Sequence, residues 1–431
     1  MIEIFSVFFN FFFLSILFLF PSFFLVNRFY ILRKLNFFDL LSINIIFQFT
    51  IYLLFSFFYS NVSTLIVLFF IFSLICLFVF LYLNKNIKIN KRLLLSILLF
   101  TIIVLCNFFS IANNFKLQWD AIAHWFWKTQ NFYQNGNLTE LSHLPYPFYP
   151  HLGTYLWANF WKLSLLNHEY LGRLYYSYIY IVSIFAVLQP IKSKYFFILI
   201  SSLCYLIFDS YVLGGYQEFL VFFFITFVGR LFFLLKVKKI NNIYFLLFFL
   251  LAINLLIWSK QEGVIYSAIL FLTYIFTFKI ELKNKVISLL FLSLIFFFYF
   301  YLNFLFKGNT FFHESIINSF YKFKNFKIFI DTFFLISLHL FKSLMQHPTT
   351  IISTFLLLLL LFTKKLNYLS VNHILLFFVL NIILIYGIFY HSQFPVESIL
   401  GPVLGRLILQ TSGFYLVSFV YFFNINYHYE K

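Results

Sequence analysis

The chain has 431 residues, of which 63% are hydrophobic and only 10% are charged, and its mean hydropathy is +0.95. A water-soluble fold of this length could not bury so much apolar surface, because a soluble domain needs polar and charged side chains at its surface. The composition therefore excludes a soluble globular protein and predicts that lipid surrounds most of the chain.

The formal net charge of +17 comes from basic residues in short clusters between apolar runs. Such clusters are typical of loops that set membrane topology, so we expect the lipid bilayer as a partner and no nucleic-acid binding. The cysteines Cys76, Cys106 and Cys204 lie in or beside apolar runs without metal-ligand spacing. They predict neither a disulfide framework nor a zinc site.

A membrane-spanning helix needs about 20 apolar residues, so the polar breaks in the chain define the candidate spans. They predict an all-α, polytopic transmembrane bundle of about thirteen spans, the first of which is a retained helix rather than a removed signal peptide. The predicted spans are residues 5–26, 40–59, 64–83, 93–112, 171–189, 195–209, 217–235, 243–258, 264–278, 286–306, 350–363, 373–390 and 407–424. A further stretch at 328–345 contains Asp331, His339 and Lys342, and we predict an interfacial or re-entrant helix there.

Lys and Arg collect in cytoplasmic loops, which sets the predicted orientation. With the N-terminus outside, the inner loops contain the basic clusters near residues 28–34, 85–92 and 230–239. The same topology places every carboxylate outside except Asp39, Glu281 and Glu430. This distribution fits a polar site on the outer face, and it fits equally well outer loops that merely lack Lys and Arg.

One long non-apolar segment divides the chain into three predicted regions. Residues 1–112 form the N-terminal transmembrane helices, residues 113–170 form a large extracytoplasmic loop, and residues 171–431 form the transmembrane core with its outer loops. The loop is rich in Trp and Tyr, which favour the membrane interface. We therefore expect interfacial helices within it.

Asp120, His124 and Lys128 follow one another at helical spacing near the start of this loop. A helix along the membrane surface would place the three side chains on one face, where they would point together into a neighbouring cleft. Three prolines between residues 145 and 150 then exclude a continuous helix and stiffen the chain before a second aromatic helix.

The segments WDAIAHWFWK at 119–128 and YPFYPHLGTYLW at 146–157 resemble the first outer loop of the GT-C class of polytopic glycosyltransferases. That class includes protein mannosyltransferases and bacterial enzymes that use polyprenyl-phosphate sugars. The chain departs from the class in having three or four spans before the loop, and in having Gln-Glu where a second Asp is common. Further segments similar to the class are LGRLYYS at 171–177, GGYQEFLVFFF at 214–224, WSKQEG at 258–263 and, more weakly, PVESILGPVLGRLILQ at 395–410.

The resemblance implies transfer of a sugar from a polyprenyl-phosphate donor to a hydroxyl of a glycan, lipid or protein acceptor, with inversion, on the outer side. It implies Asp120 and Glu218 as catalytic carboxylates, and it leaves a divalent metal between them open. The substrate-binding residues that it implies are His124, Lys128, Tyr149, His151, Arg173, Lys260, Glu262 and Arg406. Within this set, Tyr149 and His151 fit an architectural role in the loop better than a chemical one.

Other candidates also have structural interpretations. Asp120 is of a type that commonly caps helices. Arg173 and Arg406 lie at predicted span starts, where a buried cation usually has an ion-pair partner. Lys260 and Glu262 can pair with each other at a tight turn.

Three other classes of function remain as alternatives. A flippase or transporter for lipid-linked sugars should show Gly or Pro breaks and charges in mid-span, and such breaks are few here. An O-antigen polymerase or ligase has a large outer loop and outer arginines, but its loop usually comes late in the chain. A non-catalytic membrane scaffold is the third alternative.

The predicted topology can be checked by cysteine labelling. In a chain whose three native cysteines are replaced by serine, Asn137→Cys should react with a membrane-impermeant maleimide in intact cells, because residue 137 lies in the outer loop. Lys283→Cys, in a predicted inner loop, should react only after permeabilisation. The reverse pattern would invert the topology.

Overall fold

The computed structural model describes residues 2–28, 35–58, 62–83, 91–114, 116–164, 166–191, 214–237, 240–279, 281–305, 326–345, 368–391 and 395–428, with a few single residues between them. Within these ranges the chain forms helices and no β-strand. The α-helices are α1 (Ile2–Arg28), α2 (Phe37–Phe58), α3 (Val62–Leu83), α4 (Lys91–Asn113), α5 (Trp127–Tyr133), α6 (Leu152–Lys162), α7 (Glu169–Leu188), α8 (Glu218–Lys236), α9 (Asn242–Ser259), α10 (Gln261–Thr277), α11 (Leu282–Leu305), α12 (Phe326–Leu344), α13 (Tyr368–His391) and α14 (Val396–His428).

Ten helices in the described part of the chain are long and apolar enough to cross a membrane, and they indicate a membrane-embedded protein. They are α1–α4, α7–α9, α11, α13 and α14. The predicted span 264–278 corresponds to the shorter helix α10. The predicted spans 195–209 and 350–363 lie largely outside the described residues, so the number thirteen stays a prediction. Helix α12, the predicted interfacial or re-entrant segment, is not among the ten.

Helices α7, α8 and α14 form the centre of the bundle. The most apolar window of α7 is completely buried, whereas only 17% of the corresponding window of α11 is buried. Helices α8 and α14 approach each other closely at Gly413, where an added Cβ would lie 1.6 Å from the hydroxyl oxygen of Thr226. Only glycine fits at that contact, so the closest approach of the two central helices depends on it.

Helix α14 begins at Val396, well before the predicted start of the span near residue 407. Its first half is helical because Leu400, Leu404 and Leu407 recur on one face and pack in an apolar cluster with α12 and α13. Arg406 is therefore inside a helix and not at the start of one. The packing of Leu404 and Leu407, before and after Arg406 on the helix, therefore positions the Arg406 side chain.

Toward the C-terminal end of α8, Arg230 forms a bidentate ion pair with Asp39 of α2. The Nε to Oδ1 distance is 2.9 Å and the Nη2 to Oδ2 distance is 3.0 Å, and both side chains are at most 4% exposed. Asn36 accepts a hydrogen bond from the Asp39 amide and donates another to the Ala186 carbonyl. This network ties α2, α7 and α8 together at the end that the sequence predicts to be cytoplasmic.

Removing one member of this buried pair should destabilise the fold strongly. We expect Arg230→Met to cost about 3–5 kcal/mol in the free energy of unfolding, because it leaves the Asp39 carboxylate buried without its cation. The double variant Asp39→Asn, Arg230→Met should recover much of that loss. Unfolding in detergent micelles measures both, with the exposed Lys283→Met as control. A double variant no more stable than the single one would show that the pair is not the cause.

Candidate active site

Five charged residues from four separate segments form one continuous chain of ion pairs. Asp120 of the loop contacts the guanidinium of Arg406 on α14. The Nε of Arg406 lies 3.6 Å from Oε1 of Glu218, and the Nζ of Lys260 lies 2.8 Å from the same oxygen. Lys260 also lies 3.1 Å from Oε1 of Glu262. Negative and positive groups alternate along the chain, so each cation lies between two carboxylates.

The centre of this chain is buried and its ends are open. The Glu218 side chain is 1% exposed, whereas Asp120, Arg406 and Glu262 are each 21–25% exposed. The second carboxylate oxygen of Glu218, Oε2, is buried and has no hydrogen-bond partner. Polar ligands can therefore approach at the exposed ends, while Glu218 holds the two cations together in a low-dielectric environment.

Glu218 is positioned by the turn that precedes α8. Gly215 has a φ of +91°, a conformation that favours glycine, and an added Cβ would lie 2.8 Å from the Trp157 ring. The Gly214 carbonyl accepts a hydrogen bond of 3.0 Å from the Gln118 amide, two residues before Asp120. The turn thus places the first residue of α8 directly beside the start of the loop.

Lys260 and Glu262 are positioned by a tight junction between two helices. Lys260 is the single extended residue between α9 and α10, and Glu262 lies in the first turn of α10. An added Cβ on Gly263 would lie 2.0 Å from the Leu256 carbonyl oxygen, so the two helices can approach this closely only with glycine. The short connection brings both charged side chains to the same end of the bundle as Glu218.

Arg406 reaches the site from the middle of α14 and has a third contact. Its guanidinium lies 5.1 Å from the centre of the Tyr216 ring, which is a cation–π distance. Tyr216 precedes Glu218 in the same turn and was not among the residues that the sequence predicted for the site. Its position in the segment GGYQEF could have identified Tyr216 as a site residue. In a chain so rich in aromatic residues, however, a single tyrosine is not distinctive.

The segment after Asp120 differs from the predicted α-helix. Residues Ala121–Phe126 form a π-helix, which continues into α5. A π-helix is rare and is frequently found at functional sites. His124 lies within it, and its ring is 4.1 Å from that of Tyr146 and 5.0 Å from that of Tyr149, measured between centres.

Tyr149 connects the loop with the charged chain. Burial raises the pKa of its hydroxyl, and the charges of Glu262 and Asp120 raise it further, so the phenol is within their electrostatic range. Its ring stacks on that of Trp125 at 5.4 Å. Tyr149 therefore packs as part of the loop and also borders the charged site.

Lys128 does not contact the charged chain. It is completely buried, and its ammonium donates to the carbonyl oxygens of Tyr146, Pro147 and Tyr149 at 2.7, 3.4 and 2.9 Å. These bonds hold the proline-rich segment in place, and Tyr146 adopts a φ of +53° within it. Lys128 is thus a structural support of the loop in this arrangement.

His151 and Arg173 are also placed away from the charged chain. The Nε2 of His151 lies 2.8 Å from the Ser56 hydroxyl, and burial lowers the pKa of His151 to about 3, so its ring is neutral. Arg173 is 1% exposed and pairs with Glu169 one helical turn earlier, at 2.9 Å. Each side chain has its own partner within the fold.

The sequence leaves open whether a divalent metal joins Asp120 and Glu218. In the structure both carboxylates contact Arg406, so a metal between them would have to displace the guanidinium. The described ranges contain no group of three or more His, Cys, Asp and Glu side chains that could hold a metal ion. What the site offers is two fixed cations and three carboxylates in a partly buried setting.

No protein-family model, curated protein or solved structure matches this chain. The chemistry of the site and the resemblance in sequence are therefore the basis for a proposed function.

The buried ammonium of Lys128 should make stability depend on pH. Burial lowers its pKa to about 7, although the three carbonyl oxygens favour the charged form. In the unfolded chain the ordinary pKa is about 10.4, so between pH 7 and 10 the unfolded state binds more protons and folding stability rises with pH. From pH 7 to pH 9 we expect a rise of about 2 kcal/mol through this group.

Lys128→Met should lack this rise, and the exposed Lys116→Met should retain it. Unfolding of the purified protein in micelles at the two pH values measures the difference. The same pH dependence in wild type and Lys128→Met would show that the ammonium keeps its ordinary proton affinity.

Proposed function

We propose that the protein is a membrane glycosyltransferase that moves a sugar from a polyprenyl-phosphate donor to a hydroxyl of a glycan, lipid or protein acceptor, with inversion. The observation that carries the proposal is the convergence of Asp120, Glu218, Lys260, Glu262 and Arg406 in one chain of contacts. The residues come from four of the six segments whose sequences resemble the GT-C class. Nothing in local sequence requires segments so far apart to meet.

Asp120 takes the proton of the acceptor in this proposal. A hydroxyl is a poor nucleophile at neutral pH, so a carboxylate within hydrogen-bond reach must accept its proton as attack on the sugar develops. Asp120 is 24% exposed and lies at the open end of the chain, where an acceptor can approach it. Its contact with Arg406 fixes the position of the carboxylate.

Arg406 and Lys260 stabilise the leaving group. The lipid phosphate gains negative charge as its bond to the sugar breaks, and cations fixed in a water-poor site stabilise that charge strongly. Both cations are held by Glu218, which is almost completely buried. They need little reorganisation at the moment of reaction, which is the condition under which such electrostatic stabilisation is most effective.

We further propose that the protein has thirteen spans with its N-terminus outside, that it lies in a bacterial plasma membrane, and that the site faces the periplasm or exterior in cell-envelope glycan biosynthesis. Helix α8 supports the orientation: it has Glu218 at its start and Arg230 about 18 Å further along its axis. The charged site and the Asp39–Arg230 pair are thus at opposite ends of the bundle, as the distribution of basic residues predicts.

The proposal predicts that activity depends on Asp120. Membranes containing wild type should transfer radiolabel from a polyprenyl-phosphate sugar, and Asp120→Asn should lower the rate by about 10²–10⁴-fold, because the amide cannot accept the proton. Thermal unfolding should be nearly unchanged, since the Asp120–Arg406 pair is partly exposed.

Asp331→Asn is the matched control, because Asp331 is an exposed carboxylate outside the charged chain. It should transfer label as wild type does. Equal rates for wild type and Asp120→Asn would remove the carboxylate from the mechanism. No transfer by wild type from any donor in a panel of polyprenyl-phosphate sugars would overturn the enzyme assignment and favour a scaffold or transporter.

A further inference from the structure

Among the residues that the structure describes, the imidazole of His124 is enclosed by aromatic rings and has no hydrogen-bond partner. Besides Tyr146 and Tyr149, the ring of Trp119 contacts it edge-on at 5.7 Å. Within the described part of the chain, Nδ1 is buried without a partner, and Nε2 is neither hydrogen-bonded nor buried. A buried polar atom without a partner is costly, so its retention needs an explanation.

Three unusual features surround this one side chain. His124 lies in the π-helix Ala121–Phe126. Tyr146, whose ring is nearest to it, has a φ of +53°, which is strained for a bulky residue. Lys128 is completely buried, and its ammonium donates a hydrogen bond to the Tyr146 carbonyl. Costly features of this kind cluster where a fold fixes a functional group, and here all three fix the position of one imidazole.

Charged groups on its own segment and on two others influence this ring. Burial lowers the pKa of His124, Asp120 opposes that shift, and the cations Lys128, Arg406 and Lys260 add to it. The imidazole is therefore neutral at pH 7 and has a lone pair that can accept a proton. Asp120 lies four residues earlier, and residues at this spacing are neighbours on the surface of a helix.

We infer that His124 receives the proton that Asp120 takes from the acceptor hydroxyl, so that the two residues form a proton relay. The inference rests on the proposed function and deepens it. The acceptor oxygen forms a bond to the anomeric carbon, the bond from that carbon to the phosphate oxygen breaks, and its electron pair leaves with the phosphate. The hydroxyl proton passes to the Asp120 carboxylate, then to Nε2 of His124, and finally to water.

The ion pair of Asp120 explains why a second group is needed. A proton on the carboxylate cancels its attraction to Arg406, which is the contact that fixes the guanidinium beside Glu218. The site regains its resting arrangement only when that proton leaves. A neutral imidazole with an unbonded nitrogen, four residues after Asp120 along the same segment, can take it.

The relay can be tested by the pH dependence of sugar transfer. Wild type should lose activity in the acidic range, with a midpoint below the ordinary histidine pKa of about 6.5, because protonated His124 can no longer accept a proton. His124→Gln and His124→Phe should lower transfer at pH 7 by about 10²-fold and should lack this acidic limb. Added imidazole should restore part of the rate in the Gln variant. His124→Phe preserves the aromatic packing, so its loss of activity would not reflect a failure to fold.

A second measurement needs no enzyme activity. Carbethoxylation of the histidines, followed by mass spectrometry between pH 5 and 8, should modify His124 at Nε2 with a midpoint below the ordinary histidine pKa of about 6.5. His143→Gln is the control variant and should keep both the rate and the pH profile of wild type. An unreactive His124 would overturn the relay, and so would an unchanged pH profile in both variants at this position.

The two proposals fail in different ways. If wild type transfers sugar but His124 is dispensable, the relay is wrong and the glycosyltransferase assignment stands. If wild type transfers no sugar, the assignment is wrong and the relay, which depends on it, is wrong as well.

Discussion

The contact of one guanidinium with two carboxylates joins the loop to the bundle. Arg406 lies between Asp120, which belongs to the loop, and Glu218, which begins a central helix. Without this cation the two carboxylates would repel each other across a partly buried space, where screening by water is weak. The placement of the loop, the start of α8 and the middle of α14 therefore depend on the same side chain.

Burial makes these interactions specific. Glu218 is almost completely buried, so its charge is tolerated only because Lys260 and Arg406 share its Oε1 oxygen. A single ion pair could form with either partner, but two cations on one oxygen fix three segments relative to each other. The glycines Gly215 and Gly263 permit this approach, because any larger residue would clash with the neighbouring segment. Charge and close packing thus specify the same geometry.

The sequence predicted the helical, membrane-embedded character, because runs of about 20 apolar residues have few alternatives in lipid. Its resemblance to the GT-C class also named the five residues of the charged chain, together with five residues outside it. It could not predict where Lys128 goes, because its acceptors are main-chain carbonyls that every sequence contains. The start of α14 was misplaced because the apolar run predicted only the span 407–424, whereas tertiary packing against α12 and α13 extends the helix back to Val396.

Arg173 and Arg406 show why sequence alone could not separate structural cations from site cations. Both were predicted at span starts, and both form ion pairs. Arg173 finds its carboxylate one turn away on the same helix and is closed off from solvent, so the pair satisfies itself. Arg406 has no carboxylate within one turn on its own helix. It pairs instead with two residues from distant segments. A cation whose partners come from other segments can exchange one of them for a ligand without unfolding its own helix, and that property makes Arg406 suitable for binding a phosphate.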